Sequence, residues 1–258
     1  ILRLKKEKSI KLQTIVTGSH LSKFHGSTYK QILKDRINID QKINFSLKKN
    51  NDQLDIANFT GKAISSFAVS YKRLDPDIVV LLGDRYEIFA AAFSAMNMNI
   101  PIAHIHGGEK TLGSNDEHMR HAITKMSKWH FVATLSYQKR VIQLGESPAN
   151  VYHVGGMAYE AIKKEQLISK KEFETIVKIK LNKNNFLVTF HPETVKNKSN
   201  LSTFKNMIDA LKKIKNSSII FSLSNADAES GIINNQIEKF VSKNKSQSIY
   251  FESMGPKL

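Results

Sequence analysis

Residues Asp77 to His121 read DIVVLLGDRYEIFAAAFSAMNMNIPIAHIHGGEKTLGSNDEHMRH. The stretch parses as strand, loop, helix, strand, loop, helix. DIVVLLG is a short apolar run rich in β-branched residues, the pattern of a strand buried on both faces. It stops at Gly83, and Asp84 and Arg85 follow at once. Tyr86 to Met98 is Ala-rich and helical in character. Pro101 introduces a second strand, IAHIH, which ends in Gly-Gly-Glu. In an open parallel sheet, ligands bind outside the carboxyl ends of the strands. Asp84, Arg85, His106 and Glu109 all fall at or just past such ends, and Asp116, Glu117 and His118 open the next helix. Acids, histidines and an arginine thus converge where a parallel sheet places an active site.

The same alternation extends in both directions. Upstream, Leu12 to Gly18 (LQTIVTG) reads as a strand with Ser19 and His20 at its end. Ser27 or Thr28 is placed to cap the helix YKQILKDR. Residues 37–51 are polar and ambiguous. Gln53 to Leu74 carries apolar residues at helical spacing and ends at Asp75-Pro76, since proline disfavours αR before it. Downstream come a helix over Glu117–Ser127, the strand WHFVAT, a helix with Ser136 as N-cap and Gly145 as stop, and the strand VYHVGG. From Gly155 to about Lys183 charge rises and apolar content falls, as in a linker with lead-in helices to a second domain. A second strand–helix run follows: NFLVTF, Leu201–Ile214, SSIIFSLS, Gly231–Val241 and SQSIYFES. Strand and helix in strict turn predict parallel α/β sheets with right-handed crossovers. The expected domains are residues 1–160 and 161–258.

Composition bounds the function. The 258 residues are 41% hydrophobic, enough for a sizeable core. Cysteine is absent, which removes disulfides and thiolate chemistry. No apolar run approaches the roughly 20 residues of a membrane span, and no signal peptide is evident, so a cytoplasmic protein without a membrane partner is expected. The chain opens on Ile1 and closes on ESMGPKL, which reads like the start of a helix, so a fragment lacking both ends is expected. The formal charge is +16, but the lysines are dispersed, in pairs such as Lys48–Lys49, Lys163–Lys164, Lys170–Lys171 and Lys212–Lys213. They do not interleave with aromatics as a nucleic-acid platform does. The basic balance suits a phosphorylated small molecule better.

The chemistry-bearing residues each have a structural alternative. Asp84 could cap the helix after it, and Glu109 and Asp116 sit in turn sequences. His104 could be a hydrogen-bonded core histidine, and His20 could bond loop backbone or touch a ligand. His104 and His106 are two residues apart on a strand, which points both rings to one face. A metal site is conceivable with Glu109, Asp116, His118 and His121 nearby, but HExxH-type spacing is missing, and no metal is expected. Neither a GxGxxG turn nor a Walker loop occurs. Several such residues on adjacent strand ends, with an arginine, favour a site over the separate alternatives.

GDRYE, HIHGGE, NDEHMRHAITKMS, FHPET and SNADA, in that order, resemble the hydrolysing UDP-N-acetylglucosamine 2-epimerases. The likeness runs from TGSHLS to the last residue. It implies a GT-B-like fold, two doubly wound parallel-sheet domains with the active site in the cleft, the second domain incomplete here. It also implies the reaction: loss of the C2 proton with anti elimination of UDP, then hydration, giving UDP and N-acetylmannosamine for sialic acid-type sugars. Asp84 and Asp116 are then acid/base carboxylates, with His106 and Glu109 beside them. Arg85 and His191 would contact the diphosphate, Asn225 and Asp227 the UDP or sugar, with His20 and Glu117 as further substrate contacts. No cofactor is implied, and related enzymes are often homo-oligomers. Several relatives carry Glu, as HIEGGE, where this chain has His106, and an imidazole also moves protons near neutral pH. A sister group acts on UDP-2,4-diacetamido-2,4,6-trideoxyglucose (UDP-N,N'-diacetylbacillosamine) for legionaminic-type sugars. A GT-B glycosyltransferase, a non-hydrolysing epimerase and a non-catalytic nucleotide-sugar binding protein are the alternatives.

Overall fold

The computed structural model describes residues 1–45, 51–164, 167–193, 200–224 and 230–252. Its chain divides into two compact units, one of Ile1–Ser22, Ser27–Ser46 and Leu54–Ala158, the other mostly Tyr159–Leu258. In the first, α1 (Leu2–Lys6) precedes β1 (Ile15–Thr17) and a 3-10 turn over Gly18–Leu21. Next come α2 (Tyr29–Lys34), β2 (Gln41–Ile43) and the long α3 (Gln53–Leu74). β2 pairs with β1 in parallel. This strand lies in the ambiguous polar region, and only one of its residues, Ile43, is buried.

The central stretch then forms β3 (Val79–Leu82), α4 (Tyr86–Asn97), β4 (Ile102–Ile105) and α5 (Asp116–Met126). It continues with β5 (Trp129–Val132), α6 (Leu135–Gln143), β6 (Val151–His153) and α7 (Met157–Lys164). The strands make a parallel sheet in the order β3-β4-β5-β6. Register lines up Leu81, His104, His130 and Val151 in one buried row across the sheet. With monotonic order and right-handed crossovers, α4, α5 and α6 fall on one side. The side opposite that row carries Leu82, Ile105, Phe131 and Tyr152. It is open: Val80 and Leu82 are 49% and 51% exposed. β3 is therefore half-buried, not buried on both faces as its apolar run suggested. A shallow hollow of about 270 Å³ on this side is lined by Ile78, Ala103, Trp129, Phe131 and Tyr152, with the last two rings stacked at 5.4 Å.

On the covered side, α3 packs through Phe59, Ala63, Phe67 and Tyr71, an i, i+4 stripe. Each large side chain removed from water contributes roughly 1.5–3 kcal/mol. Ala90, Ala91, Ala92 and Ala95 of α4 are essentially inaccessible, and such small side chains let neighbouring helices approach closely. Two side-chain bonds tie α3 to α4: Ser94 Oγ donates to Ile64 O (2.7 Å) and Tyr71 OH to Ala91 O (3.3 Å). α3 stops where Asp75 turns left-handed (φ 46°) before Pro76. The cap of α6 is Thr134, whose hydroxyl accepts from the Tyr137 amide at 3.3 Å, rather than Ser136. Gly145 (φ 94°) ends that helix in a Schellman arrangement, its N–H bonding Ile142 O and that of Glu146 bonding Val141 O.

The second unit repeats the logic. α8 (Lys170–Val177) opens with a Ser169–Glu172 capping box. β7 (Asn184–Thr189), α9 (Asn200–Lys212), β8 (Ser217–Ser222), α10 (Ser230–Lys243) and β9 (Ser248–Phe251) follow. Their parallel sheet has the order β7-β8-β9. Phe204, Ile208, Leu211, Ile219, Phe221, Ile233, Ile237 and Phe240 form its core. No helix among the described residues is long and apolar enough to cross a membrane.

Candidate active site

The site forms where β3, β4 and the start of α5 meet. Gly83 continues the ladder through its N–H to Ile105 O (3.2 Å) and then turns at φ 87°, which favours glycine. Asp84 follows. It does not cap α4, whose N-cap is Arg85 without a side-chain bond. Its Oδ2 instead accepts from Arg120 Nε of α5 at 2.8 Å and from Nη2.

Arg120 organises the cluster. Nη1 donates to Glu117 Oε2 (3.1 Å) and to the Glu109 carbonyl (2.9 Å), and Nη2 reaches Thr111 Oγ1 (2.8 Å). The guanidinium is only 3% exposed, and its fork lets one cation orient several acceptors. Arg120 was absent from the expected site. Its signal was there: it shares the buried face of α5 with Ile123 and Thr124, and a buried arginine requires acidic partners.

Glu117 also accepts from the Thr111 amide (2.5 Å) and pairs with His121 Nε2 (3.2 Å). Burial alone would raise its pKa. The Thr111 amide, His121 and Arg120 outweigh that and hold the carboxyl below its ordinary value. Asp116 lies in the first turn of α5, partly buried, with its amide donating to Ser114 Oγ at 3.2 Å.

β4 ends at Ile105, and His106 is left-handed at φ 68°. The two-residue repeat therefore does not carry over to it, and His104 and His106 differ. The His106 ring is partly exposed, and its Nδ1 lies 2.6 Å from Glu109 Oε1. His104 is wholly buried, with Nε2 2.9 Å from Gly83 O and Nδ1 3.2 Å from Thr124 Oγ1. Burial, partly opposed by the Gly83 bond, takes its pKa down to about 4. It is a core histidine. The Gly-Gly turn is gripped from both sides: Arg140 Nη1 donates to Gly108 O, and Arg120 holds the next carbonyl. Gly108 (φ 78°) lies so close to α6 that a Cβ would meet Tyr137 O at 2.5 Å.

Arg85 Nε pairs with the buried Glu87 at 3.4 Å, and a Cβ on Gly18 would lie 2.5 Å from Glu87 Oε1, so the end of β1 abuts this loop. His20, just beyond, is exposed and bonds Thr28 Oγ1 at 2.7 Å. That hydroxyl gives α2 no side-chain cap. The carboxylates of Asp84 and Glu117 and the main-chain carbonyl of Glu109 thus meet at Arg120, and His106 joins through the Glu109 carboxylate. His191 stands exposed past the end of β7 in the second unit. Asn225 and Asp227 lie outside the described residues. Among the described residues no group of three or more His, Asp or Glu is arranged to hold a metal ion.

The family model for UDP-N-acetylglucosamine 2-epimerase matches residues 2–257. The chain is 38% identical over 252 residues to the GDP/UDP-N,N'-diacetylbacillosamine 2-epimerase (hydrolyzing) of Campylobacter jejuni, covering 98% of this chain and 65% of that protein. It is 38% identical over 243 residues to polysialic acid biosynthesis protein P7 of Escherichia coli, covering 94% and 62%. Against the UDP-N,N'-diacetylbacillosamine 2-epimerase (hydrolyzing) of Legionella pneumophila it is 33% identical over 239 residues, covering 93% and 63%. The chain therefore spans less than two thirds of the length of these relatives. Among solved structures, UDP-GlcNAc 2-epimerase from Neisseria meningitidis bound to UDP-GlcNAc superposes with a TM-score of 0.76 at 20% identity, over 98% of this chain and 68% of that one. That likeness concerns the fold, a GT-B-like pair of parallel α/β units. The match over nearly every residue, with relatives at this identity, shows that the chain belongs to the UDP-N-acetylglucosamine 2-epimerase family.

Proposed function

We propose that the protein is a hydrolysing 2-epimerase of UDP-linked 2-acetamido sugars. The observation that carries the reading is the junction of the Asp84 and Glu117 carboxylates and the Glu109 carbonyl on one buried arginine, with His106 held by the Glu109 carboxylate, at the carboxyl ends of β3 and β4. In the first half-reaction a base takes the C2 proton, the C1–O bond to UDP breaks, and a C1=C2 double bond forms. In the second, water adds at C1 and a proton returns to C2 on the opposite face. The sum is UDP-sugar plus water to UDP plus the 2-epimer. Base and acid must differ in environment.

The chain's side chains divide in that way. A carboxylate only accepts, so His106 donates Nδ1–H to Glu109, and in the neutral form of that ring Nε2 carries the lone pair that can take a proton. Asp84 has one oxygen pinned by Arg120, which leaves the other for the sugar. Asp116 is the second carboxylate of the pair, and His20 and Glu117 are further substrate contacts. Arg85 and His191 serve the diphosphate, and Asn225 and Asp227 the UDP or sugar. The names of the Campylobacter and Legionella relatives favour the 2,4-diacetamido sugar over UDP-N-acetylglucosamine as substrate. No cofactor or metal enters this scheme, and a cytoplasmic homo-oligomer is its natural setting.

The test is incubation of the whole protein with each UDP-sugar in deuterated water, followed by proton NMR. Free UDP together with the 2-epimer deuterated at C2 is expected, faster with the diacetamido substrate. An intact UDP-linked epimer would make the enzyme non-hydrolysing, and no turnover of either sugar would leave nucleotide-sugar binding.

A further inference from the structure

His104 lies outside the reacting cluster, yet it touches each piece of chain that builds it. Its ring meets Gly83, which precedes Asp84, and Thr124, one turn beyond Arg120 on α5. It also underlies Gly107, where a Cβ would come within 3.2 Å of His104 Nδ1 and 3.0 Å of Thr124 Oγ1. The proton positions follow from the partners. A carbonyl cannot donate, so Nε2 carries the hydrogen and gives it to Gly83 O. Nδ1 is then bare and accepts the Thr124 hydroxyl proton. The ring is wholly buried with both nitrogens engaged, so it cannot reach a substrate.

We propose that His104 is a positioning residue: a neutral imidazole clamped between Gly83 and Thr124 that sets the distance at which Asp84 meets Arg120 and seats the His106 loop on Gly107. Burial keeps it uncharged at neutral pH, so the same tautomer persists through the working range. A fixed clamp is needed because Asp84 sits on a glycine turn. Without the Gly83 bond the turn can relax, and a misplacement of about 1 Å can cost on the order of 100-fold in rate.

The inference rests on the epimerase reading, and the experiment separates the two. In the whole protein, His104→Leu should lower kcat by about 100-fold with KM nearly unchanged. His104→Gln, whose amide N–H can occupy the Nε2 position, should recover most of that loss. In an Asp84→Asn background His104→Leu should cost little more, because the group it positions is already disabled. An equal further loss in that background, or a Gln variant no better than Leu, overturns the proposal. Nitrogen-15 NMR of labelled histidine gives a readout independent of turnover and of how well the Leu variant folds. The Nε2–H tautomer is expected for the His104 ring, whose signals are the ones missing from His104→Gln, and an Nδ1–H tautomer there overturns the clamp even in an active enzyme. Wild-type protein inert towards both sugars defeats the epimerase reading, while the Nε2–H tautomer would still uphold the clamp.

Discussion

Replacing Arg120 with methionine keeps much of the apolar stem and removes the guanidinium. The buried group donates to Asp84, Glu117, Thr111 and the Glu109 carbonyl. Each hydrogen bond to a charged partner is worth about 1.5–3 kcal/mol, and stripping one member from a buried ion pair costs about 3–5 kcal/mol. The upper figure does not apply here. The Asp84 and Glu117 side chains retain 23% and 21% exposure, so water can partly replace the lost donor. A loss of about 3 kcal/mol is expected, a large part of a typical stability of about 5–15 kcal/mol. Urea denaturation of wild type, Arg120→Met and Arg120→Lys at pH 7 measures it. Lysine can meet one carboxylate but not the fork, so it should recover only about 1 kcal/mol. The coupling between Arg120→Met and Asp84→Asn should reach at least about 1 kcal/mol. A methionine variant within about 0.5 kcal/mol of wild type would refute the assignment of Arg120 as the organiser of the cluster.

Gly108→Ala must place a methyl against Tyr137 O at a positive φ, so a destabilisation of about 2–4 kcal/mol, read from the urea midpoint, is expected. Native His104 titrates at about 4 against 6.5 in the unfolded chain. The unfolded state thus binds a proton first, and stability is complete above pH 6.5 and falls as pH drops towards 4. The loss from this group is about 3 kcal/mol. Thermal denaturation across that window should show a flatter profile for His104→Gln, with a residual slope from the buried His130, whose pKa burial also lowers. Glu109→Gln weakens the partner of His106 and should lower kcat by about 10- to 100-fold, with KM little altered, in steady-state UDP release.

Strand and helix order across residues 77–145 was readable because periodicity and glycine stops are local signals. β2 was not, since a three-residue QKI strand is held mainly by backbone pairing to β1. The open side of β3 was also hidden: an apolar run says that side chains avoid water, not which helices cover them. Capping misled at Ser136 because Thr134 two residues earlier offers the same hydroxyl. The acids and His106 were legible at strand ends. Arg120 was not, since its bond to Asp84 spans 36 positions and emerges only when α5 packs beside β4. The core role of His104 was among the sequence readings. Its bonds to Gly83 and Thr124 required the fold, because both partners lie about twenty residues away in sequence.

The bare side of the β3-β4-β5-β6 sheet also carries the chain's only tryptophan, Trp129. The Lys128 ammonium stands 4.7 Å from the indole centroid, so a polar group and solvent meet the ring together. The protein is therefore labelled for optical spectroscopy without any chemistry. Its tryptophan emission comes from one location, and a surface laid across Ile78, Phe131 and Tyr152 would exclude water from that indole and move the band to shorter wavelength.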